Sequence, residues 1–301
     1  MKSVWVSLIN FKGRENTIDC LNSLEKITKD GFNLQVVVVD NGSSEKLTLP
    51  KYSLPLKIIS SKKNLGFSGG HNLAVKLALE KGADYILILN NDTFVDKNLV
   101  LELFNSMESN PIIGIAAPKI YFAPGFEFHK DRYKKEELGK VIWYAGGIMD
   151  WKNVLASHRG VDEVDKGQFD KEELTDFSSG CCMLVKKEVF EKIGLFDERY
   201  FLYYEDNDLC QRAKNNGFEI DYSPKAFLWH KNASSAGGSG SDLQDYYITR
   251  NRLIFGMKYA PLRSRVSLIR EALGFILNGR GCQRRGVFDF LIGNLGMGSY
   301  E

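Results

Sequence analysis

Four polar clusters carry the residue types that could do chemistry: Asp40-Asn41-Gly42-Ser43, Asn64-Leu65-Gly66 with Gly69-Gly70, Asn90-Asn91-Asp92, and Glu205-Asp206-Asn207-Asp208. The carboxylate and amide oxygens of the third cluster suit a hard divalent cation, above all one that also holds phosphates. Asp92 could equally cap a helix over 97–107. Asp40 could bond a base edge or a ribose. The glycines after Asn64 would let backbone approach a ligand closely, although turn chemistry explains Asn-Gly and Gly-Gly without one. In the fourth cluster three acids fall within four residues, directly after Phe201-Leu202-Tyr203-Tyr204. A helix dipole would favour those charges. One acid, Asp208, suits capping with Arg212 four residues on, and another could deprotonate a nucleophile held in a crevice. His230 follows Phe227-Leu228-Trp229 and could ligate a metal as neutral imidazole or be structural.

Strands must hold these clusters. The run Tyr85-Ile86-Leu87-Ile88-Leu89 is apolar without alternation, which suits a parallel strand covered on both faces. Further strands read at 4–9, 34–39 and, more weakly, 56–59. Between them, helical spacing begins near 16–17 and runs through Cys20, Leu21, Leu24 and Ile27. A second helix is expected over 72–81 and a third over 99–107. Strand, helix, strand at this pace argues an α/β fold, a mainly parallel sheet with helices on both faces. The first three clusters then follow successive strands, where ligands collect in such sheets. A strand is expected at 112–116, and 118–177 reads as an excursion beside the sheet, with a solvated charged run at 130–140. An apolar segment at 181–185 precedes a helix over 187–193 that ends at Gly194. Another helix, over 207–216, is closed by Gly217. Short strands at 219–222 and 226–229 flank Ser223-Pro224. The Gly/Ser-rich stretch 233–241 should be mobile and could close over a ligand. Helices follow at 243–256 and 262–277, and beyond 281 only turns at Gly293 and 296–298 stand out. Neither a dinucleotide glycine fingerprint after the first strand nor a Walker-type lysine loop is present.

The 301 residues are 44% hydrophobic and 26% charged with a net charge of +2, an ordinary globular composition that argues against nucleic acid as a partner. Five cysteines without CxxC spacing fit a reducing compartment. The N-terminus reads as a strand, not as a signal peptide. No apolar run approaches the roughly 18 residues of a membrane span. Charge is uneven, however. Lys258, Arg263, Arg265, Arg270, Arg280, Arg284 and Arg285 are opposed only by Glu271. With apolar residues interleaved, this segment could lie on an anionic membrane, pack on the rest of the chain, or meet a second copy.

Taken together, Val39-Asp40-Asn41-Gly42-Ser43, Asn64-Leu65-Gly66-Phe67-Ser68-Gly69-Gly70-His71-Asn72, Leu89-Asn90-Asn91-Asp92-Thr93, Ser179-Gly180, Gly194-Leu195-Phe196-Asp197-Glu198, Glu205-Asp206-Asn207-Asp208-Leu209-Cys210-Gln211-Arg212 and Gly217 form an ordered series. Over about residues 3–255 the chain resembles the family 2 glycosyltransferases with the GT-A fold, and most closely the rhamnosyltransferase-like members of bacterial surface polysaccharide synthesis. The resemblance implies a catalytic domain over 1–256, with a Rossmann-like nucleotide-sugar half at 1–117 and an acceptor- and base-bearing half at 118–256, then a basic helical extension over 257–301. It implies an inverting transfer from a dTDP- or UDP-sugar, rhamnose as best guess, to a hydroxyl of a saccharide or polyprenyl-linked saccharide. The setting would be cytoplasmic, with peripheral contact on the inner face of the membrane. In that reading Asp40, Asn41, Asn64, Gly66, Gly70, Asn90 and Asn91 serve the nucleotide, with Asn90 where many members carry Asp. Asp92 and His230 hold Mn2+ or Mg2+, Asp206 is the base, and Glu205 lies beside it. Trp143, Gly146, Gly147 and Gly180 border the sugar or acceptor pocket, and Arg250 lies near phosphates. The absence of Gln-x-x-Arg-Trp after the base sets the chain apart from cellulose- or hyaluronan-type polymerases. The alternatives are nucleotidylyl transfer, for which the turn at 10–16 lacks a glycine- and lysine-rich loop, and a non-catalytic nucleotide-sugar or carbohydrate binder.

Overall fold

A computed structural model describes residues 1–232 and 240–300, so most of the stretch expected to be mobile at 233–241 lies outside the described residues. Twelve strands and eight α-helices follow in the order β1 (Lys2–Asn10), α1 (Arg14–Leu24), β2 (Phe32–Asn41), β3 (Leu56–Ser61), α2 (Gly66–Glu80), β4 (Tyr85–Asn90), β5 (Thr93–Val95), α3 (Leu99–Ser109), β6 (Ile113–Phe122), β7 (Ile142–Tyr144), β8 (Gly147–Asp150), β9 (Leu155–His158), β10 (Glu173–Leu174), β11 (Cys182–Lys186), α4 (Lys187–Ile193), α5 (Glu205–Asn215), β12 (Glu219–His230), α6 (Asp242–Tyr259), α7 (Leu262–Asn278) and α8 (Gly281–Ile292) among the described residues.

The main sheet has the order β10-β12-β6-β11-β4-β1-β2-β3, with β5 added on β12 and β7 on β6. Strands β3, β2, β1 and β4 are mutually parallel, and β6 is parallel to β12. β11 is inserted antiparallel between β4 and β6. The expected sheet is therefore present, flanked by helices, with the α/β half expected at the N-terminus and helices at the C-terminus. β4 is buried from Tyr85 to Leu89, as its uninterrupted apolar run requires when both faces are covered.

Several boundaries differ from expectation. α2 begins at Gly66, not at 72, because the Asn64 side chain accepts the Gly66 N–H at 2.9 Å and starts the turn early. The strand after β4 is β5, so Asp92 does not cap a helix. α3 opens instead at Asn98, whose N–H is held by Asp96 Oδ1 at 2.8 Å. β12 runs straight through Ser223-Pro224, where two short strands were expected. A register shift against β6 between Ser223 and Phe227 absorbs the proline, which has no N–H to give the ladder. The excursion at 118–177 supplies β7 and β10 to the sheet edges and a separate β8–β9 hairpin. Residues 281–292, which gave no pattern, form α8.

A second apolar cluster lies apart from the main core. Tyr200, Tyr204 and Val154 pack with Leu253, Phe255, Leu268 and Val287 of the C-terminal helices. Buried Asp208 ties the two regions together. It accepts from Arg212, Lys258 and Tyr259, each at 2.7 Å, which includes the expected pair with Arg212.

Candidate active site

The end of β4 is pinned from three sides. The Asn90 N–H donates to Cys181 O at 2.8 Å, and the Thr93 hydroxyl donates to Asn90 O at 2.7 Å. Asn91 Nδ2 donates to Thr17 Oγ1 at 2.9 Å and to Gly13 O at 3.3 Å, which fixes the turn to the start of α1. Pairing of β5 with β12 sets Thr93 opposite His230. As a result Asp92 Oδ1 lies 3.1 Å from His230 Nε2, both side chains being buried. The His230 ring packs edge-on against Trp143 at 4.7 Å, and Trp143 against His158 at 4.4 Å. Burial opposes a charge on His230, but the Cys181 sulfur and the Asp92 carboxylate outweigh it and raise its pKa. His158 is pushed down to about 4 by burial and stays neutral.

His230 Nδ1 is buried with no hydrogen-bond partner among the described residues. Those residues contain no cluster of three or more His, Cys, Asp or Glu side chains that could cage a metal. The Asp92–His230 pair nonetheless fits a Mn2+ or Mg2+ ion of the kind that takes one or two protein ligands and completes its shell with phosphate oxygens and water.

Asp206 reaches the same end of the sheet through β11. The Gly180 N–H donates to Asp206 Oδ2 at 2.9 Å, and the next residue, Cys181, is the one that accepts from Asn90. The carboxylate at the start of α5 and the strand end carrying Asp92 are thus joined by two adjacent residues. Asp206 Oδ1 accepts from Asn207 N and Nδ2 at 2.7 and 2.8 Å. Burial raises the Asp206 pKa, against the pull of the Gly180 and Asn207 donors. Glu205 is more deeply buried. Its Oε2 has no partner among the described residues, and burial together with the Asp206 charge raises its pKa well above the carboxylate range.

The turn into α5 is strained. Tyr203 and Tyr204 take φ of 68° and 71°, a left-handed conformation that bulky residues rarely adopt. Asn251 of α6 holds it, donating from Nδ2 to Leu202 O and Tyr203 O at 2.8 Å each, and the Tyr204 hydroxyl donates to Val154 O at 3.1 Å.

On the other flank, buried Asp40 accepts from Leu47 N at 3.1 Å and from Asn10 Nδ2 at 3.5 Å. Asn41 locks the next loop: its Nδ2 donates to Asn64 Oδ1 and Gly66 O, both at 3.0 Å, and its Oδ1 accepts from Leu65 N at 2.9 Å. Protein contacts account for the glycines here. A Cβ on Gly66, whose φ is +69°, would come within 2.2 Å of Phe201 O, and one on Gly70 would meet Ile9 at 2.8 Å. The Phe67 N–H donates to Phe201 O at 2.8 Å, so α2 docks on the segment that leads into Glu205 and Asp206. A Cβ on Gly180 would meet the Phe67 ring at 2.7 Å, and one on Gly147 the Phe177 ring at 2.4 Å, while Gly146, at φ +108°, admits Arg159.

Arg250 departs from expectation. It is fully buried, and its five N–H donors meet Asn251 Oδ1, the Tyr246 hydroxyl, and the carbonyls of Asn294, Arg199 and Gly296. A guanidinium has no sixth donor for a phosphate. Arg250 therefore clamps the C-terminal tail to α6. Sequence reasoning passed over Asn10, Asn251 and Cys181. For Asn10 a signal existed, a polar residue closing a parallel strand. For Asn251 and Cys181 only the tertiary contacts reveal the role.

Residues 6–194 match glycosyl transferase family 2. The low-salt glycan biosynthesis hexosyltransferase Agl10 of Haloferax volcanii is 24% identical over 250 residues, 83% of this chain and 74% of that protein. The dTDP-rhamnosyl transferase RfbF of Shigella flexneri is 26% identical over 240 residues, 76% of this chain and 73% of that one. Among solved structures, GalNAc-T7 with UDP, GalNAc and Mn2+ superposes with a TM-score of 0.60 at 15% identity over 90% of this chain. The match spans about half of the GalNAc-T7 chain, 54%, and is a likeness of fold.

Proposed function

This chain belongs to glycosyl transferase family 2, whose members move a sugar from a nucleotide-sugar donor to an acceptor, and from that premise we propose that it is an inverting, metal-dependent rhamnosyltransferase. The donor is dTDP-rhamnose, or a UDP-sugar of similar shape, and the acceptor is a hydroxyl of a saccharide carried on a polyprenyl lipid. The observation that carries the reading is the joining of Asp206 to the Asp92 strand end through Gly180 and Cys181. The choice of sugar draws on the likeness to the dTDP-rhamnosyl transferase RfbF.

Asp92 and His230 would hold the ion, which supplies Lewis-acid polarisation of the diphosphate oxygens as the leaving group gathers charge. Asp40 and Asn41, rigid at the end of β2, orient the nucleotide. Asp206 accepts the proton of the attacking hydroxyl. Three of its roughly four acceptor positions are filled by Gly180 and Asn207, two on Oδ1 and one on Oδ2, so the open position is on Oδ2. Burial raises its pKa, which makes it a stronger base than an ordinary aspartate. Glu205 lies beside it, its buried Oε2 without a partner among the described residues. Trp143, packed against His230, borders the sugar.

A panel of dTDP-, UDP- and GDP-sugars with Mn2+ or Mg2+, reading released nucleotide, tests the assignment. Turnover of dTDP-rhamnose is expected to lead. Turnover confined to a GDP-sugar overturns the pyrimidine assignment, and product with retained anomeric configuration overturns direct displacement.

A further inference from the structure

The C-terminal helices leave apolar side chains in the open. On α7, Leu262, Val266, Ile269, Leu273, Ile276 and Leu277 recur at three- and four-residue intervals along one face, and all are exposed, Leu262 and Leu277 by 77% and 72%. The opposite face, through Ser264, Leu268 and Ala272, packs on the protein. α8 adds Phe288, Leu291 and Ile292, each about 60% exposed. Packing has therefore consumed one side of each helix and left these apolar side chains exposed on the other, with no partner among the described residues. A contiguous exposed patch of this kind marks an interaction surface.

The charges around it select the partner. Arg263 and Arg270 border the α7 stripe, Arg284 and Arg285 lie one turn from Phe288, and all four are exposed without an ion pair among the described residues. Between residues 260 and 300 the sequence has only two acids, Glu271 and Asp289. Glu271 is bonded to Arg252 at 2.7 Å, and Asp289 is buried, accepting from Tyr246 and Ser299. A two-fold contact between copies would set this patch against itself, arginine facing arginine with no free carboxylate between them. An anionic lipid surface satisfies both features: acyl chains take the apolar stripe and headgroups take the guanidinium groups. No helix among the described residues is long and apolar enough to cross a membrane.

We propose that the outer face of α7 and α8 docks the protein onto an anionic membrane surface, with the α7 stripe lying in the headgroup boundary. The proposal stands apart from the reading of the active site, because lipid binding is measured with no donor present. The test is flotation of the full chain with phosphatidylcholine vesicles with and without phosphatidylglycerol. Native protein should float with the anionic vesicles and remain behind with the neutral ones, and raised salt should weaken the binding. A Leu273→Glu, Ile276→Glu double variant should lose at least 10-fold in vesicle partition, with donor turnover and near-ultraviolet dichroism unchanged. An Arg263→Glu, Arg270→Glu variant, which leaves the apolar stripe intact, should bind anionic vesicles no better than neutral ones. Equal native binding to both vesicle types overturns the proposal, as does full binding by either variant. Dimers in lipid-free sedimentation that Leu273→Glu dissociates also overturn it, by assigning the face to a second copy.

Discussion

The Gly180 N–H donates to Asp206 Oδ2 at 2.9 Å, and Cys181, the next residue, takes the N–H of Asn90 through its carbonyl. This short relay brings an acid from a helix start to the strand end that bears Asp92, more than a hundred residues earlier in the chain.

Asp206→Asn should keep donor affinity and lose transfer by roughly 100-fold or more, the usual range for a missing general base. Asparagine preserves acceptance from Gly180 at one atom and cannot take the proton. Since the native carboxyl titrates above the ordinary aspartate range, kcat/KM should decline on acidification while the fold is intact. Calorimetric donor binding alongside released-nucleotide rates checks both points. Near-native transfer in Asp206→Asn would move the role to Glu205.

Asp92→Ala should abolish metal-stimulated donor turnover by roughly 100-fold or more, given the several kcal/mol a bound cation lends to developing charge. His230→Ala should raise the Mn2+ concentration needed for half-maximal rate. Chelation should silence the native protein, and added metal should restore it. Turnover in Asp92→Ala that is indifferent to metal would remove the ion from the reading.

Asn251→Ala should lower kcat by about 10-fold with little change in donor affinity. It leaves the carbonyls of Leu202 and Tyr203, at the strained turn into α5, without their donor, a loss of about 1–3 kcal/mol when such groups are buried. Asn251→Asp has no amide to give and should not rescue. A variant that loses stability yet retains kcat would make the clamp purely structural.

Glu205→Gln should change the pH dependence of stability. The native carboxyl has a raised pKa, so the folded state keeps its proton where the unfolded chain has released it. Stability is then greatest below the ordinary carboxylate range and declines as pH rises through that range toward the raised value. Glutamine carries no such proton. The melting temperature of the variant should gain on the native protein from pH 4 to pH 8, and parallel profiles would contradict the assignment.

Gly66→Ala and Gly217→Ala make a matched pair. Both positions have positive φ, +69° and +85°, but only the first brings a new Cβ onto backbone, at Phe201 O. Gly217→Ala should cost about 1 kcal/mol from conformation alone. Gly66→Ala should cost about 3 kcal/mol or more and disturb the turn before Glu205. Denaturant midpoints distinguish them.

The order of elements and the parallel half-sheet were legible because periodicity is local: the apolar runs at 34–39 and 85–89 suit strands covered on both faces. The polar clusters at strand ends were legible for the same reason, since a strand that ends in Asp or Asn announces its own edge. Other features depend on partners far away in the chain. Nothing near Arg250 tells that carbonyls at 199, 294 and 296 will take its donors, and nothing near Pro224 tells that a register shift against β6 will carry it. The position of α8 was hidden because glycines and arginines blur its pattern, and its packing on α6 is a tertiary fact. Sequence alone determined which residue types stand at each strand end. The tertiary structure decided which ends meet, because the antiparallel entry of β11 between β4 and β6, and hydrogen bonds such as Asn90 to Cys181 and Gly180 to Asp206, have no counterpart in spacing along the chain.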